Sequence, residues 1–306
     1  MAIIKDTTLA SLRTMVRGEY AARLAELMQK PAYKDIATII TSGGASNTYG
    51  WLGDFPKMRE WVGDRVIADM KEMSYQILNK LYEATLGVKR TDIEDDNLGQ
   101  YRVLSRAQAD EVVRFLNELT FGLLPGGFSA LCFDGQNFFD VDHPVYPNVD
   151  GTGVAVSTSN VQGDPAATGS PWFLLSLTGT LKPFIVQDRA GPEFEEITDG
   201  KAESVFMRDQ FLYGTRWRGN AGYGFWQQAV GSKATLDATA FEAAYDKMLA
   251  FKRDGGSPLG IVPSHLVVGP ANRAAAKAIL EKEFLAGGES NPNYKAVELI
   301  VSPWIQ

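Results

Sequence analysis

One uninterrupted helical pattern limits what this chain can become. Tyr101, Leu104, Gln108, Val112, Phe115 and Leu119 recur along one side, Val113 and Leu116 widen the stripe, and Pro125-Gly126-Gly127 stops it. A helix over 95–123 would be a rod about 43 Å long at 1.5 Å per residue. Any fold must be built beside that rod. Asp92, Glu94, Asp95 and Asp96 crowd together just ahead of it. Clustered carboxylates suit a hard divalent cation, but they also stabilise the partly positive start of a helix. The pattern begins at once after them, so they read as the helix start.

The preceding segment mixes apolar anchors with both signs of charge. Trp51, Phe55, Met58 and Trp61 stand among Lys57, Arg59, Glu60, Asp64 and Arg65. Aromatic and arginine side chains supply much of the binding energy at protein interfaces. These residues are therefore candidates for contact between subunits; the plainer alternative is a loop folded over the core. Residues 66–80 fit helix and strand equally, and 82–90 read as a strand. Further upstream, Leu9, Leu12, Val16, Tyr20, Leu24 and Leu27 predict an amphipathic helix over 7–29, with Thr7 or Thr8 as cap and Pro31 as stop. TSGGASNTYG (41–50) reads as a flexible link. Helix plus link is either an arm or a helix docked on its own domain.

After the long helix, FSALCFDGQNFFDVDHPV (128–145) reads as a hairpin turning at Asp134-Gly135. Residues 146–171 form a long polar loop. WFLLSL and KPFIVQ are strands, and DRAGPEFEEITDGKAES is an acidic loop. The aromatic, Gly-punctuated stretch 205–231 suits sheet edges and tight turns. Residues 237–253 and ANRAAAKAILEKEFLAGG read as helices, HLVVGP as a short buried strand, and NPNYKAVELIVSPWIQ as a strand ending the chain. Strands and helices do not alternate strictly, so the fold class is α+β.

Composition narrows the chemistry. The 306 residues are 45% hydrophobic and 22% charged, an ordinary globular balance with enough chain for a substantial core. A net charge of -7 argues against a protein whose main task is gripping nucleic acid. One cysteine, Cys132, and two histidines, His143 and His265, exclude a disulfide framework and multi-cysteine or histidine-rich metal centres. Cysteine usage fits a reducing compartment. The apolar run in MAIIKDTTLASLR is too short for a secretory leader, and no stretch reaches the roughly 18 apolar residues of a membrane span, so a soluble protein is expected.

Four places invite chemistry. Asp140, Asp142 and His143 could bind a divalent metal or act as acid and base. Turn geometry beside Pro144 explains them more simply, with the carboxylates on one face and His143 on the other. RWRGNAGYGFW (216–226) has arginines and aromatics suited to phosphates and bases. However, GNAGYG lacks the Lys-Ser/Thr of a phosphate-binding loop, so a sheet edge or interface is expected. Cys132 reads as a buried structural thiol. Lys57 and Lys71 have no local carboxylate that would activate them for bonding to a neighbour. No catalytic residue, metal ligand or cofactor site is assigned.

The stretches YGWLGDFPKMREWVGDR, LYEATLGVKRTDIEDDNLGQY, CFDGQNFFDVDHPV, LKPFIVQDR, FMRDQFLYGTRWRGNAGYGFWQ, DGGSPLGIVPSHLVVGP and VELIVSPWIQ run through nearly the whole chain. In that order they resemble the major head subunit of Mu-like bacteriophages and prophages, the gpT family of major capsid proteins. The resemblance implies an α+β, HK-97-type major capsid fold with an N-terminal arm, an extended loop, a long spine helix, and peripheral and axial domains. It implies an arm at 1–47, an extended loop at 48–90, a peripheral domain at 91–236 with its spine helix at about 94–123, and an axial domain with the terminal strand at 237–306. WFLLSLTGTLKPFIVQDR and YGTRWRGNAGYGFWQ, similar to strands that close the peripheral domain late in the commoner chain order, here precede the axial segment. The implied function is structural, not enzymatic. The chain would self-assemble through hexamers and pentamers into an icosahedral head around double-stranded DNA, which it contacts non-specifically. Implied partners are copies of itself, a scaffold protein, a portal and a decoration protein, with no membrane and no cofactor. Its place would be the virion, after assembly in the host bacterial cytoplasm. A metal-dependent hydrolase using Asp140, Asp142 and His143 is the alternative.

Overall fold

The computed structural model describes residues 6–49, 75–91, 98–149, 151–199, 201–285 and 287–306. The contact candidates Trp51, Phe55, Lys57, Met58, Arg59, Glu60, Trp61, Asp64 and Arg65 lie outside the described residues, as do Lys71 and the acids Asp92, Glu94, Asp95 and Asp96.

The chain begins with α1 (Asp6–Leu27) and the short α2 (Tyr33–Ile36), then β1 (Ala37–Thr41), β2 (Ser46–Thr48), β3 (Gln76–Leu78) and β4 (Lys80–Lys89). The long rod is α3 (Leu98–Phe121), whose 24 described residues extend about 36 Å. One further turn, α4 (Leu123–Gly126), follows it. Then come β5 (His143–Val145), β6 (Val156–Thr158), β7 (Trp172–Leu175), β8 (Phe184–Ile197), α5 (Glu203–Arg208), β9 (Gln210–Tyr223) and β10 (Ala229–Ser232). The last elements are α6 (Ala238–Leu249), β11 (His265–Val268), α7 (Arg273–Leu280) and β12 (Glu298–Val301). Asp237 caps α6, its carboxylate accepting from the Ala240 amide at 2.8 Å.

Two mixed sheets carry the architecture. The first has order β1-β8-β9-β4, with β1 parallel to β8 and the other pairs antiparallel. The second has order β10-β7-β11-β12, with β11 and β12 parallel. The second sheet thus takes β7 and β10 from before residue 237 and β11 and β12 from after it. Its central β7 is buried along its whole length, as a strand covered on both faces must be. Such mixed pairing is the α+β class expected.

Several local expectations change. The acidic segment expected as a loop after KPFIVQ is instead the outer half of β8, which runs to Ile197 and alternates half-buried with exposed residues. Gly191 and Pro192 are accommodated where the register against β9 shifts, between Ala190 and Glu193. RWRGNAG lies on β9, between β8 and β4, so it is an inner strand and not an edge. The expected link at 41–50 holds β2, which pairs with β3. The expected 128–145 hairpin has only one isolated bridge, Leu131 to Asn137, around Gly135 with φ 84°. The helix expected from ANRAAAKAILEKEFLAGG ends at Leu280, before its glycines.

The 127–139 turn wedges between the sheets. Phe138 stacks on Tyr223 at 4.7 Å and contacts Phe184 at 5.4 Å, both in the first sheet. Phe139 meets Phe173 of the second sheet at 5.2 Å. A side chain at Gly231 would collide with the Phe139 ring, which explains a glycine in buried β10. A separate small core, with Leu12, Val16, Val88, Tyr101, Val205, Phe211 and Tyr213, sits where α1, α3 and the far end of the first sheet converge. Among the described residues no helix is long and apolar enough to cross a membrane.

Candidate assembly surfaces

Three features can bear on function: the docking of α1, the polar cluster in the inter-sheet wedge, and the far end of the long hairpin.

The first helix lies on its own subunit. Leu12, Val16 and Tyr20 are buried, and the Ser105 hydroxyl of α3 donates to the Val16 carbonyl at 2.6 Å. Ion pairs flank the seam: Arg13 with Glu196 at 2.7 Å, Arg23 with Asp110 at 2.7 Å, and Glu19 with Arg102 and Arg106 at 3.0 and 3.3 Å. Their partly exposed members limit each to a modest contribution. A cleft of about 670 Å³ opens between α1 and α3, lined by Ser11, Thr14, Met15, Gly18, Glu19 and Arg102. A second cleft, about 420 Å³, is lined by α1 and by Pro192 and Phe194 of β8, beside the contact of the Tyr20 and Phe194 rings at 4.7 Å. Below the seam, Gln108 donates to the carbonyls of Ala84 and Tyr213, tying α3 to β4 and β9.

The wedge holds the candidates for metal or acid–base chemistry, in a different grouping. His143 turns fully inward, and its Nδ1 meets Asp134 Oδ2 at 2.7 Å. Its Nε2 faces Asn160 Oδ1 at 3.2 Å, and its ring stacks on Trp226 at 4.0 Å. Asn160 is fixed because its amide donates to the Phe138 and Trp226 carbonyls while its oxygen accepts from the Asp140 amide. Cys132 donates its S–H to Asp134 Oδ1 at 3.0 Å, and the Gln136 amide donates to the same oxygen. Cys132, Asp134 and His143 are the one group of three metal-capable side chains among the described residues, their ligand atoms within 4.8 Å of one another. Asp134 is already the shared acceptor for the other two, so the group is a hydrogen-bonded clamp.

Its electrostatics agree. Burial by itself would raise the Asp134 carboxyl, but the hydrogen bonds from His143 and Cys132 and the charge of His143 leave it below the usual range. Burial pushes the Cys132 thiol strongly upward, so it is a poor nucleophile, as a structural thiol should be. Asp140 and Asp142 do not join this group. The Asp140 carboxylate accepts from the Asn137 and Val141 amides. Asp142 is exposed, and its carboxyl is raised by the hydrogen bond it shares with Asp140. The triad Asp140, Asp142 and His143 is thus not assembled. The spacing in DVDH could not reveal that the partner of His143 is Asp134, nine residues away across a turn.

The nucleic-acid lookalike is also engaged within the protein. Arg216 pairs with Glu193 at 3.4 Å and with Glu195 at 3.7 Å. Trp217 is buried, stacks on Tyr82 at 5.6 Å, and donates its indole N–H to Asp188 at 3.0 Å. Its glycines serve packing: a side chain at Gly219 would strike the Gln187 carbonyl and the Trp217 ring.

At the far end of the β8–β9 hairpin, α5 presents Phe206 and Met207 to solvent at 79% and 73% exposure. Sequence reasoning misses this surface. The only local signal is two large apolar residues within the charged run Lys201–Asp209.

The family described as Mu-like prophage major head subunit gpT matches residues 9–305. The major capsid protein of Escherichia phage Mu is 40% identical over 306 residues, covering 99% of this chain and 100% of that protein. A chain of the bacteriophage JBD30 procapsid is similar with a TM-score of 0.87 at 48% identity, covering 98% of this chain and 100% of that one. A chain of the JBD30 capsid decorated with minor capsid protein trimers is similar with a TM-score of 0.72 at 36% identity, covering 90% and 91%.

Proposed function

We propose, from the premise that this chain belongs to the Mu-like prophage major head subunit gpT family and is a major capsid protein of a phage head, that it builds a closed icosahedral shell of pentamers and hexamers around double-stranded DNA. The observation that carries this reading is the full-length likeness to a procapsid chain. The layout supports it: a long helix and a long three-stranded ribbon run side by side, with α1 laid across them. No residue is given a catalytic role, and the clamp at Asp134 and His143 serves to join the two sheets.

Within this reading, residues 1–47 act as an arm laid along its own subunit, 48–90 as the extended loop whose β4 end is anchored in the first sheet, and α3 as the spine. Residues 91–236 supply the peripheral domain and 237–306 the axial domain with the terminal strand, except that β7 and β10, from before residue 237, complete the axial sheet with β11 and β12. Trp51, Phe55, Lys57, Met58, Arg59, Glu60, Trp61, Asp64 and Arg65 form the clasp that grips a neighbouring subunit, since aromatics and arginines among mixed charges suit a protein interface. Assembly takes place in the host bacterial cytoplasm, with a scaffold protein and a portal as further partners. A decoration protein comparable to the minor capsid protein trimers of JBD30 binds the outer surface. Packaged DNA is held weakly, because a chain of net charge -7 has little to offer phosphates as a whole.

Electron microscopy of the purified, concentrated protein, with and without its scaffold, tests this. Closed shells are the expected result. Monodisperse monomer under every condition would overturn it. Binding of short double-stranded DNA to the free subunit should be weak and should fall as salt rises.

A further inference from the structure

The ring of His143 lies between two oxygens that only accept. Asn160 donates its amide hydrogens to the Phe138 and Trp226 carbonyls, at 2.8 and 3.4 Å, and its Oδ1 already receives the Asp140 amide. That oxygen faces Nε2 at 3.2 Å. On the other edge the Asp134 carboxylate faces Nδ1 at 2.7 Å. A neutral imidazole has one N–H and one lone pair, so it satisfies one acceptor and sets its lone pair against the other. Two arrangements remove the conflict: a second proton on the ring, or a cation between Nδ1 and Asp134. Asn160 is held from three sides, which reserves Nε2–H for its oxygen and turns Nδ1 toward the carboxylate.

A third donor completes the set. Cys132 Sγ lies 3.0 Å from Asp134 Oδ1, and the ligand atoms of Cys132, Asp134 and His143 all fall within 4.8 Å of one another. Around a tetrahedral ion with bonds of about 2.0 Å to nitrogen and oxygen and about 2.3 Å to sulfur, ligands stand roughly 3.5 Å apart. Shifts of about an ångström therefore bring these donors onto one centre. The charges balance in both states. Imidazolium, carboxylate and thiol sum to zero, and so do a dication, a carboxylate, a thiolate and a neutral imidazole. That matters where the His143 side chain is fully buried and that of Asp134 is 6% exposed, because an uncompensated buried charge is costly. Supporting contacts are in place: Asn160 orients the ring, the Gln136 amide holds the carboxylate, and Trp226 lies flat on the imidazole. The exposed Gly135 leaves one turn of chain between the group and solvent.

We propose that Cys132, Asp134 and His143 bind one divalent cation of the zinc class, which staples the wedge between the two sheets. Thiolate and imidazole select such an ion over magnesium or calcium. With both carboxylate oxygens the three side chains offer four donors, so the site is closed and structural, with no open position for a reacting water. The ion replaces two protons, one from Nδ1 and one from Sγ. Burial disfavours the free thiolate, so binding tightens as pH rises. The proposal does not depend on the capsid reading.

The test uses the full chain, stripped with a chelator and titrated with Co²⁺ as a spectroscopic probe. One Co²⁺ per chain and a thiolate-to-cobalt charge-transfer band that Zn²⁺ abolishes are the expected result. Calorimetry in buffers of different ionisation enthalpy should count about two protons released per Zn²⁺. Cys132→Ser keeps a hydroxyl donor for Asp134, and should lose the band and bind Zn²⁺ about a hundredfold more weakly. His265→Asn, at the more exposed pair with Glu298, should leave band and stoichiometry unchanged. Absence of the band in the parent, its survival in Cys132→Ser, or a stoichiometry set by His265 would overturn the site. The parent's band and proton count decide the matter even where a variant does not fold. Shell formation is a separate readout: shells from a parent without the band would overturn this site alone.

Discussion

Asp134 Oδ2 lies 2.7 Å from His143 Nδ1, and this contact closes the turn whose phenylalanines join the two sheets. The carboxylate is held below its ordinary range, so it binds fewer protons in the folded chain than in the unfolded one at acidic pH. Its stabilisation is complete above the unfolded value, about pH 4, and is lost as pH falls through the lower folded value. Asp134→Asn should cost about 3 kcal/mol at neutral pH, because it leaves His143 and Cys132 without their charged acceptor. Urea titrations from pH 2 to pH 7 would show it: the variant's stability should fall less with acid than the parent's.

The seam under α1 gives a local prediction. Ser105→Ala removes the hydroxyl that donates to the Val16 carbonyl and should cost about 1 kcal/mol. Hydrogen exchange should quicken in α1, with β7 and β11 unchanged. Uniform quickening throughout the chain would mean that α1 does not open as a unit.

At Gly219, β9 lies too close to β8 to leave room for a side chain. Gly219→Ala sets a methyl against the Gln187 carbonyl, a backbone atom that cannot rotate away, and against the Trp217 ring. A loss of about 2 kcal/mol is expected by thermal or urea unfolding. Gly256→Ala is a useful contrast: its space is open, but its φ of 74° penalises any side chain, so a smaller loss from backbone strain alone is expected.

The clasp proposal is tested by removing residues 51–74 and no more. Ile77 must stay, because it is buried and β3 pairs with β2. With a short glycine-rich bridge in place, the subunit should remain soluble and folded by circular dichroism. It should give no closed shells by electron microscopy. Normal shells from this variant would remove the clasp from the mechanism.

Elements set by their own residues can be read directly from the sequence. The stripe from Tyr101 to Leu119 is α3, and Leu12, Val16 and Tyr20 mark the buried side of α1. Asp237 announces α6. Elements set by distant partners cannot be read in this way. Gly191-Pro192 has the composition of a loop, yet β9 supplies a ladder on which both fit at a register shift. Residues 281–286 have helix-forming composition, but Asn291 draws the chain back by donating its amide to the Ile279 and Lys282 carbonyls, and the helix stops at Leu280. At the clamp, the apolar neighbours of Cys132 mark it correctly as a buried thiol. His143 is grouped with the wrong acids, because proximity along the chain stands in for proximity in space.

The interleaved order of the two sheets has a consequence for synthesis. The first sheet pairs β1, complete at Thr41, with strands that end at Tyr223, and the second cannot be finished before Val301 has left the ribosome. Contacts of such long sequence separation form slowly. A growing chain therefore completes its first sheet only after Tyr223 has emerged and its second only after Val301 has, so any surface that depends on both sheets waits for the later one.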